Sequence, residues 1–144
     1  MKNRHLAVDA WESLFRAQHE VFDEISDDFR HGELGQAEYD VLLTVTRAPG
    51  MTARLRDVTS LMLVSQPSVS RLVDRMVARG LVTKCSDPSD GRGALVTATE
   101  DGAAAFRKTA TRHARTISKR MSQLTDDELC TLRELTAKLR TSCD

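Results

Sequence analysis

A change of hydrophobic period at Gly80 constrains the fold of this chain more than any other feature of its sequence. After Gly80, the segments Leu81–Cys85 and Ala94–Ala98 are short and β-prone, and the turn residues of 86–93 separate them, which predicts a β-hairpin with a long polar tip. Before Gly80, apolar residues recur at spacings of three and four, which predicts a helix with one buried face. Those apolar residues are Val69, Leu72, Val73, Met76 and Val77.

The ends of this helix carry recognisable signals. Ser65 is a good N-cap, and Pro67 then lies in the first turn, where its missing N–H costs nothing. Gly80 stands where a glycine commonly follows a helix end. Because residues 55–63 predict a short helix directly before it, the sequence predicts a helix-turn-helix followed by a β-wing.

Amphipathic patterns predict four further helices around this unit. Residues 6–30 and 36–47 precede it, and a helix that Thr99 can cap runs to about Gln123. The capping box Thr125–Glu128 begins a final helix whose apolar face is Leu129, Leu132, Leu135 and Leu139. The predicted fold is mostly α, an α+β winged helix-turn-helix with six helices and a two-stranded wing.

The first helix is too long for a small domain to cover its apolar stripe, at about 37 Å if all of 6–30 is helical. We therefore expect the outer helices to pack on a partner chain. The 144 residues suffice for one domain. Within it, we predict a DNA-binding lobe over 36–99 and a helical dimerisation region formed by 5–31 and 100–141.

The net charge of zero conceals separated blocks. Residues 9–40 contain ten acids and two bases, residues 41–84 contain seven bases and two acids, and residues 106–124 contain six bases and no acid. Such blocks can present one acidic and one basic surface, and a local basic face is all that phosphate contact requires.

The polar face of the helix before Gly80 offers hydroxyls and guanidinium groups to a major groove. Arg71 or Arg75 can read guanine or hold a phosphate, and Gln66 can reach adenine. The other candidates are the phosphate-directed helix start at Ser65, the small Pro67, the hydroxyls of Ser68 and Ser70, and Asp74. Taken alone, this face is equally consistent with an ordinary solvated helix surface.

The hairpin tip carries Asp90 and Arg92. A thin ribbon bearing an arginine suits a minor groove, which is narrow and has a negative potential. Asp90 can pair with Arg92 and hold its angle, although turn formation alone is also a common reason for aspartate at such a position.

Five segments together resemble the MarR family of bacterial regulators, over about residues 36–102. They are Ser65–Met76, Gly80–Val82, Asp87–Arg92, Leu95–Thr97 and Thr99–Gly102. The flanking helices agree only in order and length. The resemblance implies a winged-helix homodimer on double-stranded DNA that binds a pseudo-palindromic operator and usually represses. It also implies that many members release DNA when a small phenolic or lipophilic ligand binds.

The same resemblance implies that the helix matching Ser65–Arg79 enters the major groove and that the wing matching Asp87–Arg92 reaches the minor groove. The helices matching Leu6–Arg30 and Gly102–Leu139 then form the dimer interface. Two positions depart from the family pattern. Gly91 replaces the first of two adjacent wing arginines, and Leu63 stands where glycine is frequent.

Other sites have little support. Trp11, Phe15 and Tyr39 are weak candidates for a ligand cavity, and ordinary core is the better interpretation of each. The histidines His5, His19, His31 and His113 have no metal-ligand spacing, so we predict neither a metal nor another cofactor. No nucleophile–base pair or phosphate loop indicates an enzyme. No apolar run approaches the about 20 residues of a membrane helix.

Three unpaired cysteines, Cys85, Cys130 and Cys143, suit a reducing cytoplasm better than a disulfide framework. The leading hypothesis is a cytoplasmic, dimeric transcriptional regulator that binds DNA and not membranes. Two alternatives stay open: a winged-helix module that binds protein instead of DNA, and a regulator of the same fold that senses oxidants through a cysteine.

Overall fold

The computed structural model describes residues 3–141, which form six α-helices and a three-stranded sheet. The mostly α winged-helix prediction is confirmed. In chain order the elements are α1 (Arg4–Ile25), α2 (Gln36–Arg47), β1 (Thr52–Arg54), α3 (Leu55–Leu61), α4 (Val69–Ala78), β2 (Val82–Asp87), β3 (Asp90–Ala98), α5 (Glu100–Met121) and α6 (Asp126–Leu139). Short 3-10 helices occupy Ser26–Phe29 and Pro49–Met51, so the first α-helix ends earlier than predicted.

Local side-chain bonds fix several helix ends where the sequence predicts them. The Thr99 hydroxyl accepts the Gly102 N–H at 2.9 Å and begins α5. At α6, the Thr125 hydroxyl accepts the Glu128 N–H at 3.2 Å, while the Glu128 carboxylate accepts the Thr125 N–H at 3.1 Å. Gly80 has a φ of 75°, a left-handed conformation that glycine adopts without strain. These predictions are confirmed.

The predicted start of α4 is wrong. Its N-cap is Ser68, whose hydroxyl accepts the Arg71 N–H at 3.3 Å, and Ser65 lies in the preceding turn. Pro67 is therefore outside the helix and not in its first turn. The cause is Pro67 itself, because the proline ring disfavours helical backbone at the preceding residue, Gln66.

The predicted two-stranded wing is the hairpin β2–β3, and a third strand that the sequence does not predict completes an antiparallel sheet in the order β1-β3-β2. β1 is only three residues long, too short to produce a periodic signal, and a hydrogen bond of 2.8 Å joins its Thr52 hydroxyl to that of Thr97 in β3. The hairpin tip is shorter than expected as well. The strands extend to Asp87 and from Asp90, which leaves Pro88 and Ser89 between them.

One hydrophobic core joins α2, α3, α4, the sheet and the start of α5. Its large fully buried side chains are Leu34, Val41, Leu42, Val45, Val58, Val73, Met76, Val82 and Val96. Val77 was expected to face this core but is 40% exposed, because it lies at the margin of the apolar face. At Gly102 a Cβ atom would collide with the Leu81 carbonyl, so α5 approaches the base of the wing closely.

The outer helices contrast with this core, because neither α1 nor α6 contains a buried residue in the described chain. Their large apolar side chains are exposed, including Trp11, Phe15, Leu135 and Leu139. Within residues 3–141, no helix combines the length and apolar character that a bilayer crossing requires.

Candidate nucleic-acid interface

The two faces of α4 differ sharply in burial. Val69, Leu72, Val73 and Met76 are buried, and they hold the helix against the core. The opposite face is exposed and carries Ser70, Arg71, Asp74 and Arg75. The structure therefore presents hydroxyl, guanidinium and carboxylate groups on one accessible surface of a helix that can fit a major groove.

The turn before α4 adds polar groups at the same end. Ser65 and Pro67 are exposed, whereas Gln66 is half-buried and its side-chain amide donates to the Ser65 carbonyl at 3.0 Å. The Ser68 hydroxyl accepts from the Arg71 N–H as the helix cap. Because a hydroxyl can also donate, Ser68 retains one hydrogen for a phosphate or a base edge.

The charged side chains at the tip of the wing, Asp90 and Arg92, interact differently from the prediction. The Asp90 carboxylate accepts the backbone N–H of Arg92 at 3.1 Å, and the two side chains form no ion pair among the described residues. The expected Asp90–Arg92 side-chain pair is therefore wrong, because the tight turn brings the backbone N–H within reach first. Arg92 is exposed, so its guanidinium is available to a ligand.

A cleft of about 660 Å³ lies between α3, α4 and the wing. Four cationic side chains line it: Arg54, Arg56, Lys84 and Arg92. Only Arg92 was a sequence candidate. The basic composition of residues 41–84 was the available signal for the other three, but it could not show that they converge across 30 residues of chain.

Lys84 connects the wing to the exposed face of α4. Its ammonium group lies 3.0 Å from the Asp74 carboxylate and 3.4 Å from the Ser70 hydroxyl. Lys84 thus offsets the one negative charge on this face of α4, where an unpaired carboxylate would repel phosphate. Asp74, predicted as a DNA contact, is engaged within the protein instead.

Asp87 fixes the end of β2. Its buried carboxylate accepts the Ser89 hydroxyl at 2.7 Å and the Ser89 N–H at 2.9 Å, and these bonds hold its pKa below the usual range. Arg54 lies 3.3 Å away and lowers that pKa further. The ion pair ties the hairpin tip to the start of α3.

The second basic segment, 106–124, has a different role. Several of its cations pair with the acidic segment near α1: Arg120 with Glu24 at 2.7 Å, and Lys108 with Glu33 at 3.5 Å. Arg112 donates to the Asp28 carbonyl at 2.9 Å. Two of the six cations of this segment are therefore neutralised by acids of the 9–40 segment.

The three aromatic ligand candidates do not share a cavity. Trp11 and Phe15 lie together on the exposed face of α1, with ring centroids 5.9 Å apart. Tyr39 packs instead against Phe106 and Phe29, with centroid distances of 5.1 and 5.2 Å. Burial raises the pKa of the Tyr39 phenol, while nearby Arg47 opposes that shift. Trp11 and Phe15 therefore form one aromatic pair, and Tyr39 belongs to a different aromatic cluster.

The cysteines and histidines show no sensor or metal arrangement in the described residues. Cys85 and Cys130 are free and exposed, and Cys143 lies outside the described residues. His113 Nδ1 is 3.0 Å from the Asp28 carboxylate, packed between aromatic rings. Across residues 3–141, no three His, Cys, Asp or Glu side chains come together as a metal centre.

Comparison with known proteins agrees with this architecture. A model of the MarR family matches residues 34–93, which include α2 to α4 and most of the sheet. The multiple antibiotic resistance protein MarR of Escherichia coli is 30% identical over 109 residues, which are 74% of each chain. A mutant of E. coli MarR solved with operator DNA superposes with a TM-score of 0.74 at 25% identity, covering 90% of this chain and 94% of that one.

Two more distant structures share the fold. Sco3205 of Streptomyces coelicolor, solved with DNA, gives a TM-score of 0.81 at 20% identity over 96% of this chain and 88% of its own. BpsR of Bordetella bronchiseptica, whose DNA binding is regulated by 6-hydroxynicotinic acid, gives 0.78 at 23% over 92% and 93%. The winged helix, its charged face and the sequence match lead to one conclusion: this chain belongs to the MarR family of transcriptional regulators.

Proposed function

We propose that this protein represses transcription as a homodimer that binds a pseudo-palindromic operator through α4 and the wing. The observation that carries the proposal is that exposed Arg71 and Arg75 on α4 adjoin a cleft in which four cations, Arg92 among them, outnumber the carboxylates of Asp87 and Asp90. If α4 occupies a major groove and the wing reaches the adjacent minor groove, the intervening phosphate backbone must cross this cleft.

The exposed apolar faces of α1 and α6 support the homodimer. Large contiguous apolar surfaces on a folded chain usually mark an interface. A two-fold dimer of helix-turn-helix units places its recognition helices about 34–36 Å apart, one turn of DNA.

We also propose that a small lipophilic or phenolic ligand weakens DNA binding, as the BpsR comparison suggests. A regulator of this kind acts at the chromosome, so we place it in the cytoplasm.

The deciding experiment is selection of duplexes from a random pool, followed by anisotropy titration of the best duplex and of a random duplex at two salt concentrations. We expect competitor-resistant binding whose log affinity falls steeply with log salt, because phosphate contacts release counterions. An affinity for every selected duplex that is no higher than the affinity for the random duplex would instead support a protein-interaction module.

Arg71 and Arg75 are expected to contribute most to the choice of DNA sequence. Arg71→Ala or Arg75→Ala should weaken operator binding by about 1–3 kcal/mol and relax specificity at the base pair that the arginine reads. The matched control is Arg30→Ala, which removes an exposed arginine outside the α4–wing surface. Unchanged operator affinity in both α4 variants would refute this placement of α4.

Arg92 is expected to act mainly through charge. Arg92→Ala should weaken binding to operator and random duplexes by similar factors and should reduce the salt slope by about one. The same titrations measure both quantities. A variant that binds as tightly as the parent at both salt concentrations would show that the wing does not contact DNA.

A further inference from the structure

Three consecutive residues of α2 contact three different parts of the molecule: the C-terminal end of α4, helix α5, and the turn between α3 and α4. Neighbouring residues of an α-helix point about 100° apart, so one helical turn can reach several partners. Glu38 reaches the C-terminal end of α4, Tyr39 reaches α5, and Asp40 reaches the turn that precedes α4. This segment, residues 38–40, is called the α2 hub below.

Asp40 anchors the turn before α4. The side chain is 4% exposed, and one carboxylate oxygen accepts two backbone N–H groups, from Leu63 at 2.7 Å and from Val64 at 2.9 Å. These donors lie 23 and 24 residues away in sequence. Bonds from N–H groups to a charged carboxylate are stronger than neutral ones, so this contact fixes the path of the chain into α4.

Glu38 anchors the opposite end of the same helix. One carboxylate oxygen accepts the Gly35 N–H at 2.9 Å, and the other accepts from the guanidinium of Arg79, the C-cap residue of α4. A second Arg79 nitrogen donates to the Glu33 carbonyl at 2.7 Å. One turn of α2 therefore holds the turn between α3 and α4 through Asp40 and the C-terminal end of α4 through Glu38.

Tyr39 faces away from α4 and towards the helical region. Its ring stacks on Phe106 of α5 and contacts Phe29, and His113 of α5 lies at a centroid distance of 5.6 Å. A shift of α5 relative to the lobe would therefore disturb this aromatic contact. The α2 hub thus contacts α5, the C-terminal end of α4 and the turn between α3 and α4.

We propose that Glu38 and Asp40 are positioning residues that set the orientation of α4, and that Tyr39 sets their position relative to α5. The inference rests on the proposed function and assigns sequence discrimination to residues that do not touch DNA. Base-edge contacts need the helix held within about 0.5 Å and 10–20°, whereas phosphate contacts tolerate more. Removing the contacts of the α2 hub therefore weakens binding to the operator more than binding to a random duplex.

The test compares operator and random-duplex dissociation constants for Asp40→Ala, Asp40→Asn and Glu38→Gln. Losing the acceptor of two backbone donors in Asp40→Ala should raise the operator constant about tenfold, and the random-duplex constant should stay within about twofold. Asp40→Asn keeps an acceptor oxygen without the charge, so it should restore part of the loss. The salt slope should not change, because no phosphate contact is removed.

Glu134→Gln on α6 is the control, since it removes one negative charge from an exposed residue outside the α2 hub and should leave the ratio of the two constants unchanged. Stoichiometric titration gives the active fraction of each variant, which separates misfolding from a change of affinity. Tyr39→Phe keeps the ring and should bind both duplexes like the parent. Tyr39→Leu removes the stacking and should reduce the preference for the operator, measured as the random-duplex constant divided by the operator constant.

The outcomes separate the inference from the function on which it rests. A parent protein without preference for any selected duplex overturns the proposed function and this inference with it. A parent preference that persists undiminished in folded Asp40→Ala and Glu38→Gln overturns the inference alone. Equal losses on both duplexes also overturn it, because they would indicate general destabilisation of the DNA-binding surface.

Discussion

The lobe around α4 and the outer helices α1 and α6 have similar amphipathic patterns but opposite burial. In the lobe, Leu42, Val45 and Val58 are fully buried by the chain's own elements. On the outer helices, Trp11 is 61% exposed and Leu135 is 53% exposed. An apolar stripe in the sequence therefore indicates an amphipathic helix, and only the structure distinguishes a face that its own chain covers from one that its own chain leaves exposed.

The difference has an energetic consequence. Burying a large apolar side chain contributes about 1.5–3 kcal/mol, which the lobe gains within one chain and which the outer helices would gain in the proposed homodimer. The stability of α1 and α6 should therefore depend on protein concentration, while that of the lobe core should not. Substitutions in the two regions can separate these contributions.

The largest expected effect is in the lobe core. Leu42→Ala should lower the free energy of unfolding by about 2–5 kcal/mol, because it removes buried methyl groups and leaves a cavity that the surroundings fill only partly. Urea unfolding followed by circular dichroism measures the change. The loss should be the same at low and high protein concentration, and a loss that disappears at high concentration would contradict the assignment of Leu42 to the intrachain core.

Truncating the outer aromatic residue should act on association instead. Trp11→Ala should weaken the dimer by about 2 kcal/mol or more, as expected for an aromatic anchor at an interface. Sedimentation equilibrium of parent and variant measures the dimer constant. Glu20→Gln, on the same helix, keeps its length and apolar stripe and serves as the control. A parent that remains monomeric at micromolar concentration would refute the homodimer, and a parent dimer of unchanged strength in Trp11→Ala would refute this role of Trp11.

The structural features that depend on residues close together in the chain could be predicted from the sequence. The caps at Thr99 and Thr125 and the left-handed Gly80 each depend on residues within a few positions, and all three are confirmed. The predicted N-cap at Ser65 is wrong, because Pro67 disfavours helical backbone at Gln66 and the helix begins only after it. The six helices and the wing were thus predictable, but the first residue of α4 was not.

The missed features depend on contacts between distant residues. β1 exists because its three residues pair with β3, more than 40 positions later. Asp40 looks like an ordinary polar residue of an amphipathic helix, and nothing near it in sequence indicates that Leu63 and Val64 will bind its carboxylate. The cleft cations Arg54, Arg56 and Lys84 were visible as composition, but only the fold brings them to one surface.

The smallest expected effect concerns pH and the wing. The hydroxyl and N–H of Ser89 bind the Asp87 carboxylate and hold its pKa below the ordinary 3.8, which applies in the unfolded chain. The charged form is therefore favoured by folding. Its stabilising contribution is present above the unfolded pKa and is lost as the pH falls through the lower folded value.

Ser89→Ala removes the hydroxyl bond and leaves the N–H bond, so the pKa of Asp87 should rise towards the ordinary value and the acid-induced loss of stability should shrink. Urea unfolding between about pH 5 and pH 2 measures the slope, because stability changes with pH wherever the folded and unfolded states bind different numbers of protons. Ser122→Ala is the matched control, because the Ser122 hydroxyl donates to the Lys119 carbonyl at 2.7 Å and not to a carboxylate. Identical slopes in parent and Ser89→Ala would show that the Ser89 hydroxyl does not lower the pKa of Asp87. A shallower slope confined to Ser89→Ala would locate one determinant of acid stability at the wing, in the lobe and not in the outer helices.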